Sequence, residues 1–140
     1  MIIIESSAMV DALVGDQPDA DLLALLATET LHAPALLDFE VASALRGHVR
    51  GGKLDPARLA GAVEDFASLR VERHQMTGLL RHVLRLRNNF TVYDAAYVVL
   101  AQALGAPLVT ADATLREAQR LGVEVQVVGR RGGTAPDEAG

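Results

Sequence analysis

Short apolar runs separated by longer segments of mixed polarity recur along this chain of 140 residues. The first run, Met1–Ile4, is entirely apolar and is followed directly by the charged Glu5. A run this short and this apolar is typical of a strand that is buried on both faces. Comparable runs predict further strands at Leu31–Ala33, Arg70–Glu72, Leu108–Thr110 and Val123–Val128.

The segments between these runs repeat their apolar residues at helical spacing. Four apolar residues fall four positions apart and predict one buried stripe along a helix over 36–50, namely Leu37, Val41, Leu45 and Val49. The other predicted helices begin or end at caps, prolines and glycines. They run from a Ser6 or Ser7 cap to Val14, from Pro18 onward, and over 55–68, 75–87, 91–104 and 112–121. This alternation predicts an α/β fold with helices covering a parallel sheet of four to five strands.

The composition fits one globular domain and excludes several kinds of site. Half of the residues are hydrophobic, so we predict a folded domain over 1–129 and a flexible, glycine-rich tail over 130–140. Without cysteine there is no thiolate catalysis or thiolate metal site, and the four histidines lack the spacing of a zinc motif. No run is long enough to span a membrane and no signal peptide is recognisable, so we expect a cytoplasmic protein.

The net charge of −5 is distributed unevenly. Residues 1–40 contain eight acidic residues and no Lys or Arg, whereas residues 46–87 contain nine basic residues and four acidic ones. An acidic site beside a basic stretch suits a metal-dependent enzyme that acts on a polyanion. A set of solvated helix faces explains the charges equally well.

Four carboxylates occupy positions where a strand ends or a helix begins, and each has an ordinary structural explanation to weigh. Asp94 follows Thr91 in a capping-box pattern, and Asp112 suits the N-cap of the last helix. Glu40 lies beside the apolar stripe with no basic residue before Arg46. Glu5 follows a buried strand, at an edge where open parallel sheets bind ligands.

Taken as one set, these carboxylates predict a divalent metal site. Hard oxygen ligands suit Mg²⁺ or Mn²⁺, which activate water and accept phosphate oxygens. Neither a Ser-His-Asp pattern nor a phosphate-binding P-loop offers an alternative chemistry. A phospho-acceptor receiver domain also gathers acids at strand ends, but it needs a late lysine, and the only lysine here is Lys53.

The chain resembles a PIN domain, most closely the VapC toxins of bacterial toxin–antitoxin modules. The resemblance runs from Met1 to about Val128 and rests on four segments in this order, Ile3–Ala8, Leu37–Leu45, Thr91–Tyr97 and Ala106–Asp112. It implies a three-layer α/β/α sandwich and Mg²⁺- or Mn²⁺-dependent cleavage of RNA. It also implies a homodimer and inhibition by a VapB-type antitoxin.

The same resemblance assigns roles residue by residue. The carboxylates that it implies as metal-binding groups are Glu5, Glu40, Asp94 and Asp112. Ser7 and Thr110 become supporting groups around the metal, or else serve an ordinary cap and strand end. Arg81 and Arg85 become contacts to the RNA backbone, or else part of a solvated face. We expect Tyr93 and Tyr97 to pack in the core or in a dimer interface.

One position departs from the family pattern. The first acid is usually Asp, whereas this chain has Glu5, which is one methylene longer. A displacement on the order of 1 Å is enough to change turnover at a catalytic site. The alternative function is therefore a PIN-fold protein that binds RNA or antitoxin with weak or no catalysis.

Overall fold

The computed structural model describes residues 1–129 and shows a five-stranded sheet in which all the strands are parallel. The strands are β1 (Ile2–Ile4), β2 (Leu31–Pro34), β3 (Val71–His74), β4 (Leu108–Thr110) and β5 (Val125–Val127). The sheet order is β3-β2-β1-β4-β5. The predicted strands and their parallel arrangement are confirmed. The predicted flexible tail over 130–140 lies outside the described residues.

Helices cover both faces of the sheet. The α-helices are α1 (Ser6–Val14), α2 (Ala20–Thr28), α3 (Leu37–Arg50), α4 (Leu59–Ser68), α5 (Leu80–Arg85) and α6 (Val92–Leu104), with 3-10 helices over Pro56–Arg58, Thr77–Leu79 and Ala113–Leu121. Helix α1 packs against α2, α3 and α4, whereas α6 lies against β1, β2 and β4 with α5 beside it. Right-handed crossovers explain the two layers, because the chain moves one way from β1 to β3 and returns to reach β4.

The core lies where the sheet meets these helices. All three residues of β1 and all three of β4 are buried, as expected for central strands of a parallel sheet. The predicted stripe of α3 is buried at Leu37, Val41 and Leu45 and packs partly at Val49. Among residues 1–129, no helix is long and apolar enough to cross a membrane.

Two predicted helices differ from the structure. The helix expected over 75–87 is reduced to a 3-10 turn and the six residues of α5, and Leu80 is exposed rather than inward. Gly78 lies in that turn, and glycine disfavours a regular α-helix at such a position. The segment after Asp112 is a 3-10 helix, with Leu115 N–H donating to the carbonyl of Asp112 at 3.1 Å.

Candidate functional site

The candidate site lies at the carboxyl ends of β1 and β4. These neighbouring strands mark the point where the strand order reverses, because β1 leads to β2 and β3 on one side while β4 leads to β5 on the other. Ligands of open α/β sheets bind in the crevice at such a reversal. The register pairs Ile4 with Val109, so the residues that follow both strands emerge side by side.

Glu5 is the most buried of the four predicted carboxylates, with 6% of its surface exposed. Three hydroxyl groups donate hydrogen bonds to its carboxylate. Ser6 Oγ donates to Oε2 at 2.9 Å, Thr110 Oγ1 donates to Oε1 at 2.6 Å, and Ser7 Oγ also donates to Oε1. This set of donors compensates for the loss of water around a buried charge.

Either Ser6 or Ser7 was predicted to cap helix α1, and that prediction is wrong. The helix begins at Ser6, so Glu5 occupies the N-cap position, and the Glu5 side chain makes no capping hydrogen bond. Ser7 Oγ instead accepts a hydrogen bond from Ala111 N at 2.9 Å. Both serine side chains therefore hold Glu5, and Ser7 also fixes the start of the loop after β4.

Thr110 ties the two sides of the site together. It is completely buried at the end of β4, and while its hydroxyl donates to Glu5 it accepts a hydrogen bond from Asp112 N at 3.0 Å. Ser7 Oγ lies 3.3 Å from Thr110 Oγ1. The structure thus places Ser7 and Thr110 directly behind Glu5, where a change in either alters the carboxylate's position.

Glu40 lies in the first turns of α3 and faces helix α6. The Tyr97 hydroxyl, on a fully buried side chain, donates to Glu40 Oε1 at 2.7 Å. Burial raises the pKa of Glu40 above its usual value, and the charges of Glu5 and Asp94 raise it further, while the bond from Tyr97 opposes the shift. Glu40 therefore faces the other acids rather than solvent alone.

Asp94 lies in the first turn of α6, whose N-cap is Thr91. Thr91 Oγ1 accepts a hydrogen bond from the Asp94 backbone N–H at 3.1 Å, so the predicted cap is present. Burial raises the pKa of the Asp94 carboxyl, and the charges of Glu5 and Asp112 raise it further. The cap thus uses the Asp94 main chain, while its side chain faces two other carboxylates.

Asp112 caps the last helix and still faces this cluster. Its Oδ1 accepts hydrogen bonds from Thr114 N at 2.9 Å and from Thr114 Oγ1 at 2.6 Å. Both of these bonds engage the same carboxylate oxygen. A role as cap and a role as ligand are therefore compatible for Asp112, since the cap uses one oxygen.

The four carboxylates form one electrostatic cluster that has no basic partner among residues 1–129. Their charges act on one another across the site, with Glu5 and Asp94 linking Glu40 to Asp112. Within residues 1–129, none of the four forms an ion pair with Lys or Arg. Like charges that converge in this way are stabilised by a cation, and oxygen donors fit Mg²⁺ or Mn²⁺.

The carboxylates of the cluster do not form a complete coordination sphere. In the part of the chain that the structure describes, no three His, Asp or Glu side chains stand at the spacing of a metal site. Three donors hold Glu5, whereas Glu40 is held at Oε1 by Tyr97 and Asp112 at Oδ1 by Thr114. Mg²⁺ also keeps several waters, so it does not require every carboxylate in direct contact.

The remaining predicted site residues lie outside this cluster. Arg81 and Arg85 are exposed on α5, with Arg85 Nη1 3.5 Å from His82 Nδ1. Tyr97 is a core residue, whereas Tyr93 is 61% exposed. Sequence reasoning missed the contact between Tyr97 and Glu40, because the two residues are 57 positions apart and no local pattern connects them.

Comparisons with known proteins identify the family of the chain. The PIN domain profile matches residues 2–121. Ribonuclease VapC9 of Mycobacterium tuberculosis is 37% identical over 130 residues, which cover 93% of this chain and 100% of that protein. Ribonuclease VapC12 of the same species is 34% identical over 128 residues, covering 91% and 99%.

A solved structure supports the fold as well. The crystal structure of PAE2754 from Pyrobaculum aerophilum matches with a TM-score of 0.66 and 25% sequence identity, covering 89% of this chain and 82% of that one. The matches to the family profile and to the two mycobacterial proteins confirm the resemblance seen in the sequence. The chain therefore belongs to the PIN-domain family and, within it, to the VapC ribonucleases.

Proposed function

We propose that this protein is the toxin of a type II toxin–antitoxin system and hydrolyses RNA phosphodiester bonds as a metal-dependent endoribonuclease. One observation carries the proposal. The charges of four carboxylates from distant parts of the chain act on one another where the strand order reverses, and burial together with these charges raises the pKa of Glu40 and Asp94. A site that gathers negative charge, with no ion pair to a basic residue in the described part of the chain, suits a divalent cation and a phosphate substrate.

The residues that would hold Mg²⁺ or Mn²⁺ are Glu5, Glu40, Asp94 and Asp112, either directly or through water. Such an ion, when bound, supplies an activated water and stabilises the charge that develops on the phosphate. Ser6, Ser7 and Thr110 orient Glu5, and Tyr97 orients Glu40. These hydroxyl groups hold two of the four carboxylates, so these two need less reorganisation when an ion and substrate bind.

The proposed partners follow from the same comparisons. The relatives are named VapC ribonucleases, which supports RNA as the substrate and a VapB-type antitoxin as the inhibitor. We extend the proposal to a homodimer that acts in the cytoplasm. Arg81 and Arg85, exposed one turn apart on α5, are the proposed contacts to the RNA backbone.

Cleavage assays on purified protein test this function. Labelled RNA is incubated with Mg²⁺ or Mn²⁺ and with wild type, Asp94→Asn, or the matched control Asp16→Asn, which changes an exposed acid outside the cluster. We expect cleavage by wild type and the control, and a loss with Asp94→Asn or with a chelator. Cleavage that persists with Asp94→Asn and with excess EDTA would refute the metal mechanism.

A second candidate function is antitoxin or RNA binding with little turnover, and Glu5 is the observation that favours it. Its carboxylate is fully engaged by hydroxyl donors in a position where the family usually has Asp. If this candidate is correct, the wild type binds RNA without cleaving it even with saturating Mn²⁺. Cleavage that appears only in Glu5→Asp supports this candidate, and equal cleavage by both forms excludes it.

A further inference from the structure

A second group of metal-ligating side chains lies on the edge of the sheet, away from the acidic cluster. The register pairs His32 on β2 with Glu72 on β3, and His74 follows Glu72 by two residues. Because side chains alternate along a strand, these three residues share one face of the sheet. Arg73 points to the opposite face, where it pairs with Asp38 at 2.9 Å and lies over the Phe66 ring.

The two imidazole rings meet with their nitrogens converging. His32 Nδ1 lies 2.9 Å from His74 Nε2, and the ring centroids are 5.2 Å apart. Two nitrogens at this distance share at most one proton, so at least one of them presents a lone pair. Two nitrogens bound to a tetrahedral zinc ion lie about 3.3–3.4 Å apart, so the rings need to separate by only about 0.4–0.5 Å.

The surroundings of His32 favour its neutral form. Burial lowers the pKa of His32, and the charge of His74 lowers it further, while Glu72 acts in the opposite direction. The N-terminal amino group also lowers it slightly, although that group pairs with Glu29. His32 is therefore neutral at neutral pH, which is the form that binds a metal ion.

Glu72 provides a third donor from an adaptable position. Its side chain is exposed and, within residues 1–129, forms neither a hydrogen bond nor an ion pair. A surface groove lined by His32, Glu72, Glu29 and Arg70 opens beside the pair and gives an ion access. Since no three ligating groups already stand at metal spacing in the described chain, Glu72 must rotate toward the rings.

We propose that His32 Nδ1, His74 Nε2 and the Glu72 carboxylate bind a transition-metal ion of the Zn²⁺ type, with water completing the coordination. Imidazole nitrogens select such borderline ions over Mg²⁺, so this site is chemically distinct from the acidic cluster. Its ligands lie on β2 and β3, one and two strands from β1, or about 5 and 10 Å along the sheet. The bound ion joins the edge strand β3 to β2 and stabilises the edge of the sheet.

A metal titration tests the proposal on the full chain after removal of any affinity tag. Zn²⁺ binding is measured by calorimetry at pH 7.5 in excess Mg²⁺, which occupies the acidic cluster, and the thermal midpoint Tm is recorded in parallel. We expect one equivalent of Zn²⁺ to bind wild type and to raise its Tm. His74→Gln should weaken binding at least about tenfold, because changes around ligands alone cost about 10- to 100-fold. Glu72→Gln should weaken it less.

Matched variants separate this site from others on the protein. His82→Gln changes an exposed histidine on α5 and should leave Zn²⁺ affinity unchanged, as should Asp94→Asn in the acidic cluster. Circular dichroism checks that each variant is folded, and Glu72→Gln, at an exposed residue, provides the test if His74→Gln does not fold. No Zn²⁺ binding by wild type, or equal binding by wild type and His74→Gln, would overturn the proposal.

Discussion

Removing the hydroxyl group of Thr110 is the most direct test of the site. Thr110→Val keeps the shape of a buried side chain but removes the donor to Glu5 Oε1, 2.6 Å away, and the acceptor for Asp112 N, 3.0 Å away. A hydrogen bond to a charged group contributes about 1.5–3 kcal/mol and one between neutral groups about 0.5–1.5 kcal/mol. Burial of the added methyl group offsets about 1 kcal/mol of this loss.

The expected net cost is therefore about 1–3 kcal/mol of the free energy of unfolding. For a chain of this size, each kcal/mol corresponds to about 3 °C in Tm, so Thr110→Val should lower Tm by roughly 3–10 °C. Urea denaturation in EDTA measures the free energy without a metal contribution. Thr30→Val, at an exposed threonine outside the site, is the control and should change it by less than about 0.5 kcal/mol.

A double-mutant cycle shows whether the loss is due to the contact with Glu5. Glu5→Gln alone and Thr110→Val alone each disturb the same hydrogen bond, so their combined effect should be smaller than the sum of the two. The expected coupling energy is about 0.5–3 kcal/mol. Additive effects, or a Thr110→Val protein as stable as wild type, would show that this hydroxyl does not stabilise the buried carboxylate.

Three further predictions concern the acids themselves. Asp94→Asn should stabilise the metal-free protein at pH 7 but not at pH 3, and urea denaturation at the two pH values measures this. Folding raises the pKa of Asp94, so this carboxyl lowers the free energy of unfolding only as the pH rises from the usual pKa of an aspartate through the raised one. Tyr97→Phe should raise the pKa of Glu40 further, since the Tyr97 bond lowers it, and an NMR titration measures this. Millimolar Mg²⁺ should raise the Tm of wild type more than that of Asp94→Asn.

The fold was predictable because its signals are local. The run Ile2–Ile4 is apolar at every position, and the stripe of α3 repeats every four residues, so a short stretch of sequence is enough to predict each element. The segment over 75–87 shows where this fails. Its leucines suggested a long helix, but Gly78 and the packing of α5 on α6 produced a 3-10 turn and a short helix instead.

The acids of the candidate site are its strongest signal in the sequence, whereas Ser7 and Thr110 were named only through the family resemblance. Glu5, Glu40, Asp94 and Asp112 stand out because carboxylates beside apolar segments require an explanation. The hydroxyl groups that hold them do not stand out, since Thr110 lies 105 positions from Glu5 and its hydroxyl could equally end a strand. Only the parallel register of β1 and β4 brings these two residues together.

The length of Glu5 determines which of these contacts its carboxylate makes. Three aspartates at N-cap positions, Asp19, Asp55 and Asp112, each accept a hydrogen bond from the backbone N–H two residues later. Glu5 also occupies an N-cap position, yet its carboxylate makes no such bond and reaches Thr110 on the neighbouring strand instead. The extra methylene thus lets the carboxylate reach across the sheet to Thr110 while it also accepts hydrogen bonds from the Ser6 and Ser7 side chains of its own helix. An aspartate at position 5 would be drawn toward the helix N-terminus, so the turnover of Glu5→Asp measures which of these two placements the site uses.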